Sequence, residues 1–429
     1  MTEVFATFFI LMLMGMPVCF AIGIAGTVFF FSQPTLPSTI PVQLTLTQTQ
    51  SFVLLAIPLF MFAGNLLNES GITHRLMRLS SVLAGHLRAG LAQVNTVLAA
   101  MMGGITGSAI ADATMQARVL GPGMLKQGYS RGFAAGVIGW NSLIVTMIPP
   151  GIGLILYGSI GEVSIGRLFA GGLVPGLLMT ILMMIAIAVT ARQKGYQPER
   201  PKAVSIKEGF TTFIECIWAF LFPILLIAGL RFGIFTPSEA GAFAVAYGII
   251  VGLFIYREIT WKKFLKTLEE TVGDIGMVML LICMSAIFSY GLTWEQMPQA
   301  LAEYMLDISD VPWVIMLIII AFLILAGMFM DSTVLILLLT SILIPVAKQV
   351  GVDLVHFGVI MVLTLTFGLL TPPVGVVMYI VCSIFECSIS DLFKETWLLF
   401  LACIIVAVAC IFFPQLVLFV PDMIFGKQL

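Results

Sequence analysis

The chain has 429 residues, of which 60% are hydrophobic and 10% charged, with a formal net charge of −2. Soluble domains carry roughly 25% charged residues, so a soluble globular protein is excluded, and a charge so close to zero names no polyanionic partner such as nucleic acid. Many apolar runs reach the ~20 residues that carry a helix across a bilayer core. They are continuously apolar, unlike the alternating strands of an outer-membrane barrel. The composition therefore predicts an all-α polytopic membrane protein.

In chain order, nine full spans are expected at about 4–31, 51–68, 132–158, 168–191, 211–230, 238–256, 273–292, 354–381 and 396–420. The first is long enough to be a retained span rather than a cleaved signal peptide. Two further apolar pieces, about 91–125 and 312–346, allow only roughly 15 residues per arm and read as re-entrant hairpins. Residues 72–88 and 259–272 mix basic and apolar residues at helical spacing, as interfacial helices do. A Lys-, Arg- and Pro-rich loop, 192–209, connects two halves. The expected organisation is a first repeat over 1–191, a connector with an extra span over 192–237, and a second repeat over 238–429.

The repeat is legible in punctuation. Pro122 stands 27 residues before Pro149, and Pro345 stands 27 before Pro372. Each first proline closes a polar-interrupted apolar stretch, and each second opens a Pro-Pro pair, Pro149-Pro150 and Pro372-Pro373. Val163-Ser164-Ile165-Gly166-Arg167-Leu168-Phe169 echoes Cys387-Ser388-Ile389-Ser390-Asp391-Leu392-Phe393. Interrupted segments at matching places in two halves mark the binding site of secondary transporters.

Lys and Arg collect on the cytoplasmic side of spans. With the N-terminus inside, the inner segments take fifteen, among them Arg75, Arg78, Arg88, Lys126, Arg131, Lys194, Lys202 and Lys263, and the outer segments only Arg167, Arg231, Lys348 and Lys427. The first hairpin is flanked by Arg88, Lys126 and Arg131, and the second by Glu303, Asp307, Asp310 and Asp353. The two hairpins are therefore expected to open to opposite faces, giving two inverted repeats.

The chemistry is expected at the breaks. Proline removes an N–H and clashes with the carbonyl four residues back. Pro149 and Pro150 should thus free the carbonyls of Val145 and Thr146, and Pro372 and Pro373 those of Gly368 and Leu369. Such backbone is tolerated in a membrane only where it is buried in protein or lines a cavity. Asn141, Ser142, Thr146, Thr364, Thr366 and Thr371 add side-chain oxygens. In the hairpins, Gly103, Gly104, Gly107 and Gly327 permit tight turns, and Ser108, Asp112, Thr114, Asp331, Ser332 and Thr333 follow them. Asp112 has no acidic counterpart in the second copy. A charge at membrane depth is costly and reads as functional, although Asp112 has an alternative role as a structural partner of Arg118. The candidate cation ligands are Gly107, Ser108, Asp112, Asn141, Val145, Thr146, Pro149, Asp331, Ser332, Thr333, Gly368, Leu369 and Thr371. The candidate substrate contacts are Thr114, Ser142, Pro150, Gly151, Thr366 and Pro372. Neutral oxygens with few acids and no nearby His favour sodium over protons.

Seven cysteines without a CxxC pair read as packing residues, and His74, His86 and His356 are too scattered for a metal site. Neither a Walker motif nor a nucleophile–base constellation occurs, so no enzyme activity and no cofactor beyond sodium is expected.

The stretch GSAIADATMQARVLGPGM, then GY, then NSLIVTMIPPGIGLILYG, resembles the large membrane subunit, DctM type, of tripartite ATP-independent periplasmic (TRAP) transporters, over essentially the whole length. The resemblance implies sodium-driven, elevator-like uptake of an organic anion across the bacterial inner membrane. It implies two partners: a periplasmic substrate-binding protein and a small membrane subunit of about four helices. The chain has no added helices of the small-subunit kind, so that subunit is expected as a separate chain. The cargo is expected to be a C4-dicarboxylate or a sugar acid, with a leaning to sialic acid. The competing readings are a stand-alone hairpin symporter without a binding protein and a non-transporting channel or scaffold subunit.

Overall fold

The computed structural model describes residues 1–200, 204–309 and 311–427; Lys202 and Asp310, used above for topology, lie outside them. The described residues form helices and no strand. The first half contains α1 (Thr2–Leu13), α2 (Val18–Ser32), α3 (Ile40–Thr49), α4 (Ala56–Glu69), α5 (Ile72–Ala84), α6 (Gly90–Gly103), α7 (Ala109–Lys126), α8 (Arg131–Ser142), α9 (Ile152–Gly161) and α10 (Ile165–Lys194). Then come α11 (Ile206–Glu215), α12 (Ile217–Arg231), α13 (Pro237–Ile250), α14 (Trp261–Trp294) and α15 (Met297–Ile308). The last stretch holds α16 (Pro312–Gly327), α17 (Ser332–Gln349), α18 (Leu354–Gly368), α19 (Val376–Phe385), α20 (Ile389–Phe412) and α21 (Gln415–Phe425).

Among the described residues, five helices are long and apolar enough to cross a membrane singly, including α17, a hairpin arm expected to be too short for that, and up to seven spans result if the bent pairs α3–α4 and α11–α12 are each counted as one. The expected span at 4–31 is instead two helices, parted at Met14–Pro17, because Pro17 has no N–H with which to continue the helix. The expected span at 211–230 is bent by 55° between α11 and α12. A further expectation is overturned at 259–272. No separate interfacial helix forms there, because α14 runs unbroken for 34 residues and absorbs the span expected at 273–292. No proline interrupts that stretch, and its three glycines, Gly273, Gly276 and Gly291, lower helix propensity by only about 1 kcal/mol each. The short amphipathic helix that precedes the second hairpin is α15.

Two groups of helices build the molecule. In one, α4 packs on α13 and α14 packs on α2, α3 and α4. Small residues permit the close approach. A Cβ on Gly26 of α2 would meet the backbone of Phe288, and one on Gly241 of α13 would meet Leu59. In the other group, α8 packs on α20, α7 on α19, α9 on α17, and α16 on α18. The succession of helix, turn, helix, broken helix and long helix occurs twice, as α6–α10 and as α16–α20.

Candidate functional site

The two hairpin turns are built alike. In the first, Gly107 adopts φ +60°, and a side chain there would run into the Pro150 carbonyl oxygen, so only glycine fits. Ser108 then caps α7, its side chain accepting from Ala111 N at 3.4 Å. In the second, Asp331 caps α17, its Oδ1 accepting from Thr333 N at 2.8 Å. Ser108 and Asp331 each stand 14 residues before the proline of their arm, so they are equivalent positions. The turns also dock on the breaks of their own halves. Val374 N donates to Met328 O at 3.0 Å, and the Gly327 backbone lies directly against Gly368.

The broken helices follow from the Pro-Pro pairs. α8 tightens into a 3-10 turn, Leu143–Thr146, and α9 starts only at Ile152. α18 ends at Gly368 and α19 starts at Val376. Both Pro-Pro bonds are cis. The Val145 and Thr146 carbonyls accept no backbone hydrogen bond among the described residues, as expected. The second half differs. Gly368 O accepts from Thr371 N at 3.1 Å, and Leu369 O accepts from Met378 N at 3.1 Å. The chain there folds back in tight turns that reuse the carbonyls proline releases. Each keeps only its second lone pair for a ligand.

These elements enclose a small pocket of about 70 Å³. It brings together Gly107 and Ser108 from the first turn, Asp331, Ser332 and Thr333 from the second, Thr146 from the first break, and Thr366 and Leu369 from the second. Residues over 200 positions apart thus share one wall. Ala109, Ile110, Ile152, Gly153, Ile336 and Val362 complete the lining; sequence reasoning missed them because apolar residues in an apolar run carry no signal. Asp331 is the acidic lining residue, and no Lys, Arg or His lines the pocket. The Thr146 hydroxyl donates to Leu143 O at 2.8 Å and that of Thr366 to Leu363 O at 2.7 Å. A hydroxyl that gives its proton to its own helix offers only lone pairs outward. The N-terminal ends of α7 and α17 also point here and add partial positive charge suited to an anion's edge.

The other candidates lie outside this lining: Asp112, Thr114, Asn141, Ser142, Val145, Pro149, Pro150, Gly151, Gly368, Thr371 and Pro372. The Thr114, Ser142 and Thr371 hydroxyls donate to the carbonyls of Ile110, Gly139 and Phe367. Asp112 is buried and belongs to a separate polar chain. Its Oδ2 accepts from Gln116 at 2.5 Å, Gln116 accepts from Asn95, and Asn141 donates to Asn95 at 2.6 Å and to Thr96 at 2.9 Å. The alternative pairing with Arg118 does not form. Six residues apart on α7, the two side chains leave different faces, and Arg118 is exposed. Asn95, Thr96 and Gln116 were not singled out from the sequence. Their only signal was being polar in apolar surroundings.

A hairpin-lined pocket at two broken helices, in a chain of apolar spans, defines a multi-pass membrane transporter rather than an enzyme. Residues 5–416 match the family model of the "Tripartite ATP-independent periplasmic transporter, DctM component", and the chain belongs to that family. It is 35% identical to a "Sialic acid TRAP transporter large permease protein SiaM" of Vibrio cholerae, over 97% of both chains. It is 30% identical to a "C4-dicarboxylate TRAP transporter large permease protein DctM" of Rhodobacter capsulatus, over 98% of both. Among solved structures it is similar in fold to Neisseria gonorrhoeae MtrF, described as an antimetabolite efflux pump, with a TM-score of 0.55 at 13% identity, over 87% of this chain and 84% of that one. The protein is thus an inner-membrane secondary transporter of organic acids, from a family that works with a small membrane subunit and a periplasmic binding protein.

Proposed function

We propose that the chain is the sodium-coupled translocating subunit of an organic-acid importer, built as two inverted repeats and working as an elevator. The pocket shared by both hairpin turns and both breaks carries this reading. Its one acid, its hydroxyl lone pairs, the Thr146 carbonyl and the second lone pair of Leu369 O are hard oxygens, the ligand type that takes a small cation without a proton relay. Ser108, Asp331, Ser332, Thr333, Thr146, Thr366 and the carbonyls around Gly107 and Leu369 are the proposed ligand set. Asp112 and Asn141, with their buried and unpartnered Oδ1 atoms, support a second cation position in the first half. At about 70 Å³ the pocket holds a dehydrated ion or about two waters, at ~30 Å³ each. The body of the cargo must lie beside it.

The site's composition supports the elevator reading. Ligands from both hairpins must travel together if the site is to stay whole while access changes sides. The cargo arrives from a periplasmic binding protein, and a small membrane subunit accompanies the translocating one. The similarity to a sialic acid permease favours a sugar acid. The test is uptake into proteoliposomes holding this chain with its small subunit and binding protein. A sodium gradient alone should drive accumulation and a proton gradient alone should not; accumulation on protons without sodium would remove the reading.

A further inference from the structure

A crevice of about 430 Å³ opens at the base of the second hairpin, where α16 and α18 begin and α20 gives way to α21. Small-molecule sites span roughly 300–1,000 Å³. Pro414 shapes it. The proline cannot donate to the carbonyl four residues back, so α20 stops at Phe412 and the chain turns into α21. The carbonyl left without its donor is that of Cys410. The His356 ring replaces the missing donor, with Nε2 2.8 Å from Cys410 O. A carbonyl oxygen only accepts, so Nε2 carries the proton, and Nδ1 of the uncharged ring is left as an acceptor. His356 lines the crevice and is 5% exposed, and its Nδ1 has no hydrogen-bond partner among the described residues.

Asp353 lines the same space. Its Oδ1 caps α18, accepting from Val355 N at 2.8 Å and His356 N at 3.0 Å, and its Oδ2 has no partner among the described residues. Trp313 and Phe412, both nearly half exposed, stand at the mouth, with their rings 5.5 Å apart and tilted by 39°. Met316 and Leu418 add apolar surface, and no Lys or Arg lines the crevice. Unpaired acceptors, one carboxylate and two aromatic faces attract an organic cation and repel an anion.

The first half supplies a template. Pro122 and Pro345 lie 223 residues apart, and the same step carries Phe133 to His356 and Ser130 to Asp353. There α10 runs on to Lys194 and brings Tyr196 into the equivalent place. The Tyr196 ring packs 5.0 Å from that of Phe133 and 4.6 Å from that of Tyr129, and its hydroxyl accepts from Ser130 N at 3.2 Å. A flat apolar body with a polar tip thus fits such a crevice. In the second half α20 stops short, the crevice stays open, and a carboxylate stands where the serine does.

We infer that this crevice binds an organic ammonium, with an apolar body against Trp313 and Phe412 and its N–H groups on Asp353 Oδ2 and His356 Nδ1. The headgroup of an aminophospholipid and a free amine share that chemistry. The crevice shares no lining residue with the cation pocket, and a site that selects cations is not a place for an organic acid. An occupant ties the base of the second hairpin to the turn between α20 and α21.

The test is equilibrium binding of radiolabelled phenethylamine to the full chain with its small subunit in phosphatidylglycerol nanodiscs, which carry no amine headgroup, corrected for empty discs. Asp353→Ser and His356→Phe install the residues of the first copy, and serine also caps a helix; size-exclusion profiles check that both variants fold. Binding should be saturable and should resist an equal excess of phenethyl alcohol, the uncharged analogue. Asp353→Ser should weaken it about tenfold or more, the loss expected with a charge-assisted hydrogen bond, and His356→Phe should weaken it less. Asp331→Ala, in the other pocket, should leave it unchanged. No saturable binding, equal competition by phenethyl alcohol, undiminished binding to Asp353→Ser, or loss of binding in Asp331→Ala overturns the inference. Phosphatidylethanolamine added to the discs then identifies the source. A higher apparent dissociation constant for phenethylamine assigns the crevice to the lipid headgroup, and an unchanged one assigns it to free amines.

Discussion

At the scale of single residues, Ser108 and Asp331 do two jobs in one place. Each ends a turn by capping a helix, and each lines the shared pocket. Replacing either with alanine loses a cap, worth about 1 kcal/mol of stability. For Asp331→Ala, loss of a charged ligand worth about 1.5–3 kcal/mol should raise the half-saturating sodium concentration roughly 10- to 150-fold. Sodium titration of uptake, normalised to folded protein by size-exclusion profile, checks this. An unchanged sodium dependence would return Asp331 to a purely structural cap. Both residues were legible in the sequence because a polar group inside an apolar run is expensive and rarely idle. The hydrogen-bonded state of the Gly368 and Leu369 carbonyls was not legible. It depends on Met378 and Thr371 folding back, and nothing in the local sequence encodes that return.

At the scale of helices, α5 is fixed to the group that contains α13. Arg75 pairs with Glu258 at 2.7 Å and lies 3.8 Å from the Tyr256 ring centre, while Arg78 reaches Glu215 at 3.2 Å. The expectation of a separate helix over 259–272 failed because a helix-spaced basic face does not reveal whether the helix ends. The Ser289–Ser341 contact joins α14, which packs in the group of α4 and α13, to hairpin arm α17. A disulfide between cysteines at these two positions should stop uptake, and a reductant should restore it. A disulfide replacing the exposed pair Arg131–Glu386, which joins α8 to the end of α19 within the group that holds both hairpins, should leave uptake intact. Full turnover with the first crosslink formed would favour local gating over an elevator.

At the scale of the whole molecule, the ends of the two halves meet in a pattern that supports inverted repeats. Lys194, at the end of α10, pairs with Glu395, near the start of α20, at 2.5 Å, and Glu395 also accepts from Ser130 just before α8. At the other end Arg167, at the start of α10, pairs with Asp422 of α21 at 2.6 Å, and Tyr157 donates to Leu354 O at 2.9 Å. The count of Lys and Arg placed the first group inside and the second outside. Exposed positions test it: a cysteine replacing Arg88 should resist an impermeant thiol reagent in intact cells, and one replacing Asp307 should react. Equal labelling would overturn the topology. The two helix breaks were legible, because proline pairs are a property of the chain itself. Which helices would be continuous was less so, since continuity is decided by packing against neighbours.

The length of α14 has a consequence for the bilayer. Its 34 residues rise about 51 Å, against a hydrocarbon core of about 30 Å. A rod of that length, carrying Lys262, Lys263, Lys266, Glu269 and Glu270 at one end, must either tilt or stand out of the hydrocarbon into the aqueous phase. The hairpin arms, at 14 to 18 residues, rise only about 21–27 Å. One protein thus presents a tall pillar and short pistons to the same lipids. Acyl-chain length becomes a control variable: thick membranes suit the pillar and strain the pistons, and thin ones do the opposite.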